Sequence, residues 1–183
     1  MSNGNKIGLS TIANRYATAL FELGEKHDKL DNFSDDLSLI ASTLESNSEL
    51  QLFLQHPTIP LFEKKDVIDK IFRNNINIEV LNVLKLLLDR NRLFIFDSFV
   101  KNYRQILYKQ RNIAVAEVIT AINIPQETIN QIKNQLEKVL NQAIIVDSKI
   151  DPDIIAGMII KVGDRFIDGS IRTRLENMKK QLM

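Results

Sequence analysis

From Leu9 to Arg111 the apolar residues recur every three or four positions, the spacing that gathers them on one face of an α-helix. Leu9, Ile12, Ala13, Tyr16, Leu20 and Leu23 form a first stripe, with Ser10 as the expected N-cap and Gly24 close to the end. Leu30, Phe33, Leu37, Ile40 and Leu44 form a second. Ser48 and Gln51 suggest a capping box for a short third helix carrying Leu50, Phe53 and Leu54. His56-Pro57-Thr58-Ile59-Pro60 then breaks the pattern, because each proline disfavours helix in the residue before it. Pro60 is expected to open a fourth helix with Phe62, Val67, Ile68, Ile71 and Phe72. A fifth spans Ile78 to Asp89. A sixth carries Leu93, Phe96, Phe99, Val100, Tyr103 and Leu107.

The fifth segment differs from the others. Val80, Leu81, Val83, Leu84, Leu86, Leu87 and Leu88 cover nearly its whole circumference. A helix apolar all round is either central to a bundle or covered by something else. In about 100 residues complete self-burial is difficult, since small domains keep much of their surface exposed.

After Asn112 the period changes to two. Ile113 to Ile122 alternates as a strand does, Pro125 opens a helix with Ile129, Ile132, Leu136, Val139 and Leu140 inward, and Ile144 to Asp147 reads as a short strand. Asp151-Pro152 is a turn, and a hairpin folded at Gly163-Asp164 follows. A final helix is expected to bury Ile171, Leu175, Met178 and Leu182. The expected class is mainly α: an N-terminal six-helix bundle over 1–112, then a small α/β domain, β-α-β-β-α, over 113–183.

Composition changes the picture mostly by exclusion. With 44% hydrophobic and 26% charged residues, the chain is globular and not disordered. Its 24 basic residues nearly balance 23 acidic ones, 15 against 14 before Asn112 and 9 against 9 after it. Neither half has the basic excess that nucleic-acid binding relies on. Without cysteine there can be no disulfide or thiolate metal site. No apolar run approaches the ~20 residues that span a bilayer, and Met1 to Gly8 resembles neither a signal peptide nor a presequence.

Candidate chemistry is sparse. Gly163-Asp164-Arg165 and Asp168-Gly169-Ser170 could line an anion or metal site, but the Lys-Ser/Thr closure of a phosphate loop is absent. Turn and cap chemistry accounts for the same residues. Gly163-Asp164 makes a two-residue turn, Asp168 or Ser170 caps the last helix, and Arg165, Arg172 and Arg174 pair with carboxylates. His27 and His56 have no second imidazole at ligand spacing. The acidic run from Glu22 to Asp36 is interspersed with Lys26 and Lys29, as on a solvated helix face. No catalytic residue, cofactor site or metal site is expected.

Three sets of segments carry a resemblance. Arg15-Tyr16-Ala17-Thr18-Ala19-Leu20-Phe21-Glu22 stands at the front. His56-Pro57-x-Ile59-Pro60 with Lys64-Lys65, and Leu86-Leu87 leading to Asn91-Arg92-Leu93, stand in the middle. Ala156-Gly157, then Ile160-x-Val162-Gly163-Asp164 and Ile167-Asp168-Gly169-Ser170-x-Arg172-x-Arg174-Leu175, stand at the end. Over essentially its whole length the chain resembles the δ subunit of F-type ATP synthases, the family of the mitochondrial oligomycin-sensitivity-conferring protein. Asn91-Arg92 departs from it, where the family often has a glycine in the turn.

The resemblance implies a non-catalytic stator subunit, one copy per complex, tying the catalytic head to the peripheral stalk. It implies that the N-terminal bundle receives N-terminal helices of α subunits, one of them in a groove between the first and fifth helices. It implies too that the C-terminal domain receives the end of the b subunit. Tyr16, Ala19, Leu20, Val83, Leu86 and Leu87 are the expected wall of that groove. Without a presequence the expected place is the cytoplasmic face of a bacterial inner membrane, reached only through the complex. Two rivals are a helical RNA-binding or transcription factor, which needs a hidden basic face, and a small enzyme working on phosphates at the Gly163–Arg174 loop.

Overall fold

The computed structural model describes residues 3–171 and Thr173, with side chains from Ser10 onward. The chain is mainly helical with a small C-terminal four-stranded sheet, and it divides into two compact units, Met1–Leu107 and Tyr108–Met183.

Helix α1 spans Asn3–Lys26, so Ser10 lies inside it and is not its N-cap. A glycine costs only about 1 kcal/mol within a helix, too little to stop one that is already nucleated and packed. The chain leaves α1 through Asp28, at φ 54°, with the Lys29 N–H on the Gly24 carbonyl at 2.9 Å. A Cβ on Gly24 would stand 3.0 Å from both Leu30 and Phe33, so the glycine allows α2 (Leu30–Ser46) to turn back closely.

Helix α3 (Ser48–Gln55) is capped by Asn47, whose side chain accepts from the Leu50 N–H at 3.1 Å; Ser48 is its first helical residue and not the cap. Helix α4 (Leu61–Phe72) begins one residue after Pro60, which is its N-cap. Phe62 points out of the core, because the buried row of α4 runs Lys64, Ile68, Phe72 and leaves Phe62 on the opposite face. Helix α5 is Ile78–Asp89, and a 3-10 turn over Leu93–Ile95 leads into α6 (Phe96–Gln110).

The core of the first unit is built on large side chains: Leu20, Phe33, Leu37, Ile40, Ile68, Phe72, Leu81, Leu84, Leu87, Phe99 and Tyr103 are all fully or almost fully enclosed. Among the described residues its enclosed side-chain polar atoms are satisfied except Glu79 Oε2. The Tyr103 hydroxyl donates to the Leu30 carbonyl at 3.0 Å. The Asp36 carboxylate accepts from the backbone and side chain of Asn77, both at 2.8 Å, fastening α2 to the start of α5.

In the second unit β1 (Ile113–Thr120) pairs in parallel with β2 (Ala143–Ile150) through the crossover helix α7 (Gln126–Leu140). Strand β3 (Met158–Val162) runs antiparallel to β1, and β4 (Arg165–Asp168) antiparallel to β3, giving the order β2-β1-β3-β4. The expected β-α-β-β-α counts the hairpin once, whereas its two strands, β3 and β4, make the described elements β-α-β-β-β. The expected last helix beyond Thr173, with Leu175, Met178 and Leu182, lies outside the described residues.

Strand β2 is longer than its apolar part. Ser148 and Lys149 continue it because β1 offers pairing partners as far as Thr120, and Lys149 forms an ion pair with Glu117. The layer between sheet and helix is thin: Ala116, Val118, Ile132, Leu136, Ile144 and Val162 form its buried centre. Val139, expected inward, is exposed, since the inward row passes through Ile132, Leu136 and Leu140.

Candidate docking surfaces

Helix α5 packs against α1, α2 and α4. On the α4 side, Lys85 meets Asp69 and Lys65 meets Asp89, each at 2.6 Å. Three neighbours bury Val80, Leu81, Leu84, Leu87 and Leu88 and still leave Leu86 42% exposed, with Val83 half-buried. On α1, which packs on α5, Ala19 and Leu23 are exposed and Tyr16 is half-buried.

The six expected groove residues therefore fall into two groups. Tyr16, Ala19, Val83 and Leu86 present surface. Leu20 and Leu87 are fully enclosed in the core and offer none. The reason is periodicity: on α1 the residues facing inward are Ala13, Ala17, Leu20 and Phe21, and on α5 Leu84, Leu87 and Leu88. The Arg92 guanidinium donates to the Tyr16 hydroxyl at 3.3 Å, holding the ring at the edge of this seam. Sequence reading missed that tie, and it placed Leu23 in the core stripe.

The Asn91 departure has a local explanation. Asn91 adopts φ 50° after α5, its N–H on the Leu88 carbonyl at 2.9 Å, and the Arg92 N–H reaches the Leu87 carbonyl at 2.7 Å. Asparagine enters this left-handed region more readily than other non-glycine residues, so the turn forms without glycine.

At the other end of the chain, Gly163 carries φ 56° in the two-residue turn between the paired residues Val162 and Arg165. A glycine at the first of two turn positions is what a type II′ hairpin requires. Asp168 and Ser170 both act as caps. The Asp168 carboxylate accepts from the Ser170 N–H at 2.8 Å and the Thr173 hydroxyl at 2.7 Å, while the Ser170 hydroxyl oxygen accepts from the Thr173 N–H at 3.3 Å. Hydrogen bonds from the Ser170 side chain, the Ser170 backbone and the Thr173 side chain hold the Asp168 carboxyl below its ordinary range.

Gly169 lies against the other strained point of the hairpin. Gly157 has φ 93°, and a Cβ there would stand 2.3 Å from the Gly169 carbonyl oxygen. Asp164 and Arg165 are exposed, and Arg165 makes no ion pair among the described residues. Arg172 and Arg174 lie outside them.

Neither histidine joins a catalytic arrangement. His56 contacts the Thr58 hydroxyl through Nδ1 at 2.8 Å, and His27 is exposed after α1. Among the described residues no three His, Cys, Asp or Glu side chains are placed to hold a metal ion, and no helix is long and apolar enough to cross a membrane. What the molecule does present is uncovered apolar surface on a helical unit joined to a small capped sheet.

Residues 12–182 match the family model of the ATP synthase delta (OSCP) subunit. Relatives named ATP synthase subunit delta include those of Clostridium acetobutylicum, 35% identical over 92% of this chain and 94% of the relative, and Alkaliphilus oremlandii, 34% identical over 93% and 95%. A similar fold occurs in the Toxoplasma gondii mitochondrial ATP synthase hexamer, at TM-score 0.73 and 22% identity over 93% of this chain and 96% of that one. The chain belongs to the ATP synthase delta (OSCP) subunit family and is a part of the F-type ATP synthase.

Proposed function

We propose that this chain is the non-catalytic stator subunit that links the α/β head of the ATP synthase to its peripheral stalk, one copy per complex. Residues 1–112 act as a six-helix bundle that receives N-terminal helices of α subunits. Residues 113–183 receive the C-terminus of the b subunit. In the first docking site Tyr16, Ala19, Val83 and Leu86 touch the guest helix, and Leu20 and Leu87 shape the seam from beneath.

The observation that carries this reading is the half-open α1–α5 seam. Leu86 is left uncovered on a helix that its own unit packs on three sides, and a small residue, Ala19, lies on the exposed surface of α1. An amphipathic guest helix would bury those side chains at ~25 cal/mol per Å² of apolar surface. Gly163, Asp164, Arg165, Asp168, Gly169, Ser170, Arg172 and Arg174 serve as turn and cap and take no part in chemistry. The subunit binds no nucleic acid or cofactor, and it meets the cytoplasmic face of the inner membrane only through the complex.

Membranes stripped of this subunit should keep ATP hydrolysis by the head and lose proton-driven synthesis. Adding back the wild-type chain should restore synthesis, and adding back Ala19→Trp should not. Full restoration by Ala19→Trp would remove Ala19 from the site. Synthesis that never depended on the subunit would end the stator reading.

A further inference from the structure

A pocket of about 640 Å³ opens in the first unit between the end of α3, the proline turn, the start of α4 and the turn after α5. Two of the middle segments that carry the family resemblance converge on it, through Pro57, Ile59 and Pro60 from one and Asn91 and Leu93 from the other. The residues that line it have no part in the seam or in the hairpin. Its lining is mostly apolar, with Leu54 and Leu93 buried and Leu61 and Phe94 exposed, Phe94 at 59%.

The only charged residue in that lining is Lys64, which is 5% exposed. Its ammonium donates to the His56 carbonyl at 2.7 Å, at the C-terminal end of α3, where a cation is favoured. That contact uses one of three N–H donors and brings no carboxylate. A cation held among apolar side chains is costly until an anion joins it. A group that brings both apolar surface and a negative charge is therefore the complement of this pocket.

The apolar lining reaches the surface of the protein. Leu61 and Phe94 are themselves exposed, so a segment lying across the pocket would cover them as well as the enclosed Leu54 and Leu93. We propose that this pocket is a second docking site, separate from the α1–α5 seam, for a segment of a partner protein that inserts apolar side chains together with a carboxylate onto Lys64.

The test is calorimetric titration of the full chain with a short synthetic peptide rich in Leu and Phe that carries one glutamate, and with its glutamine twin. The glutamate peptide should bind about tenfold more tightly than the twin, as a charge-assisted contact requires. Lys64→Met should abolish that preference. Phe94→Ala, at an exposed position that leaves the Lys64 contact intact, should weaken both peptides alike, so the result stands even where Lys64→Met fails to fold. Ala19→Trp should change neither affinity. Equal binding of the two peptides, no binding of either, or a loss on Ala19→Trp would overturn the proposal. Binding of decanoate in place of the peptides would reassign the pocket to a small amphiphile.

Discussion

The two units of this chain are stabilised in different ways. The first encloses large aromatic and aliphatic side chains from six helices in one continuous core, with the Phe21 and Tyr103 rings 6.2 Å apart. The second has a thin buried centre in which one residue of six is an alanine, and its form depends on turns and caps at Asn141, Gly157, Gly163, Asp168 and Ser170. A core of large side chains absorbs its losses as cavities. A thin sheet held by backbone geometry is instead sensitive to any side chain that its turns cannot accept.

That contrast can be broken experimentally, and the largest effect belongs to the first unit. Phe33→Ala removes a fully enclosed ring and should cost about 3–5 kcal/mol in denaturant unfolding, while the amide signals of the second unit stay in place. A loss below about 1 kcal/mol would mean that the helical core is far looser than its burial suggests.

Next comes Gly157→Ala. The added Cβ would meet the Gly169 carbonyl oxygen, and φ 93° is strained for alanine, so about 2–3 kcal/mol should be lost. The loss should appear as disturbed signals from β3 and β4, with α1–α6 unchanged. A neutral Gly157→Ala would show that the hairpin is not held by that close approach.

The smallest effect is the acid response of the Asp168 cap. The folded carboxyl lies below its ordinary value of 3.8, so its contribution is fully present above that pH and is lost as the pH falls through the lower folded value. Asp168→Asn should flatten this part of the acid dependence, read from the Ser170 and Thr173 amides. An unchanged profile in the variant would assign the acid response to another carboxylate.

The same contrast explains what the sequence made legible. The limits of α5, Ile78–Asp89, could be read from its apolar positions, because burial on three sides fixes where such a helix begins and ends. Which residues of α5 stay outside could not be read, since Leu86 and Leu87 are chemically alike and differ only in what packs on them. For the same reason Leu20 and Leu87, expected in the groove wall, are enclosed in the core.

In the second unit the glycine turn was plain in Gly163-Asp164. The full length of β2 was not, because its last half carries Asp147, Ser148 and Lys149 and is held by pairing with β1. The abundance of asparagine had a meaning that composition alone hid. Asn91, Asn112 and Asn141 take φ between 50° and 53° and end three of the helices. The 640 Å³ pocket draws on residues more than thirty positions apart, and no local pattern announces such a convergence.

The most direct test of the central claim, that the helical unit docks a guest helix in its half-open seam, is calorimetric titration of the full chain with a peptide of the cognate α-subunit N-terminal helix. One-to-one binding that Ala19→Trp abolishes while leaving the unfolding midpoint unchanged is the predicted result. A folded wild-type chain that fails to bind the peptide, or an Ala19→Trp variant that binds it as well as the wild type, would contradict it.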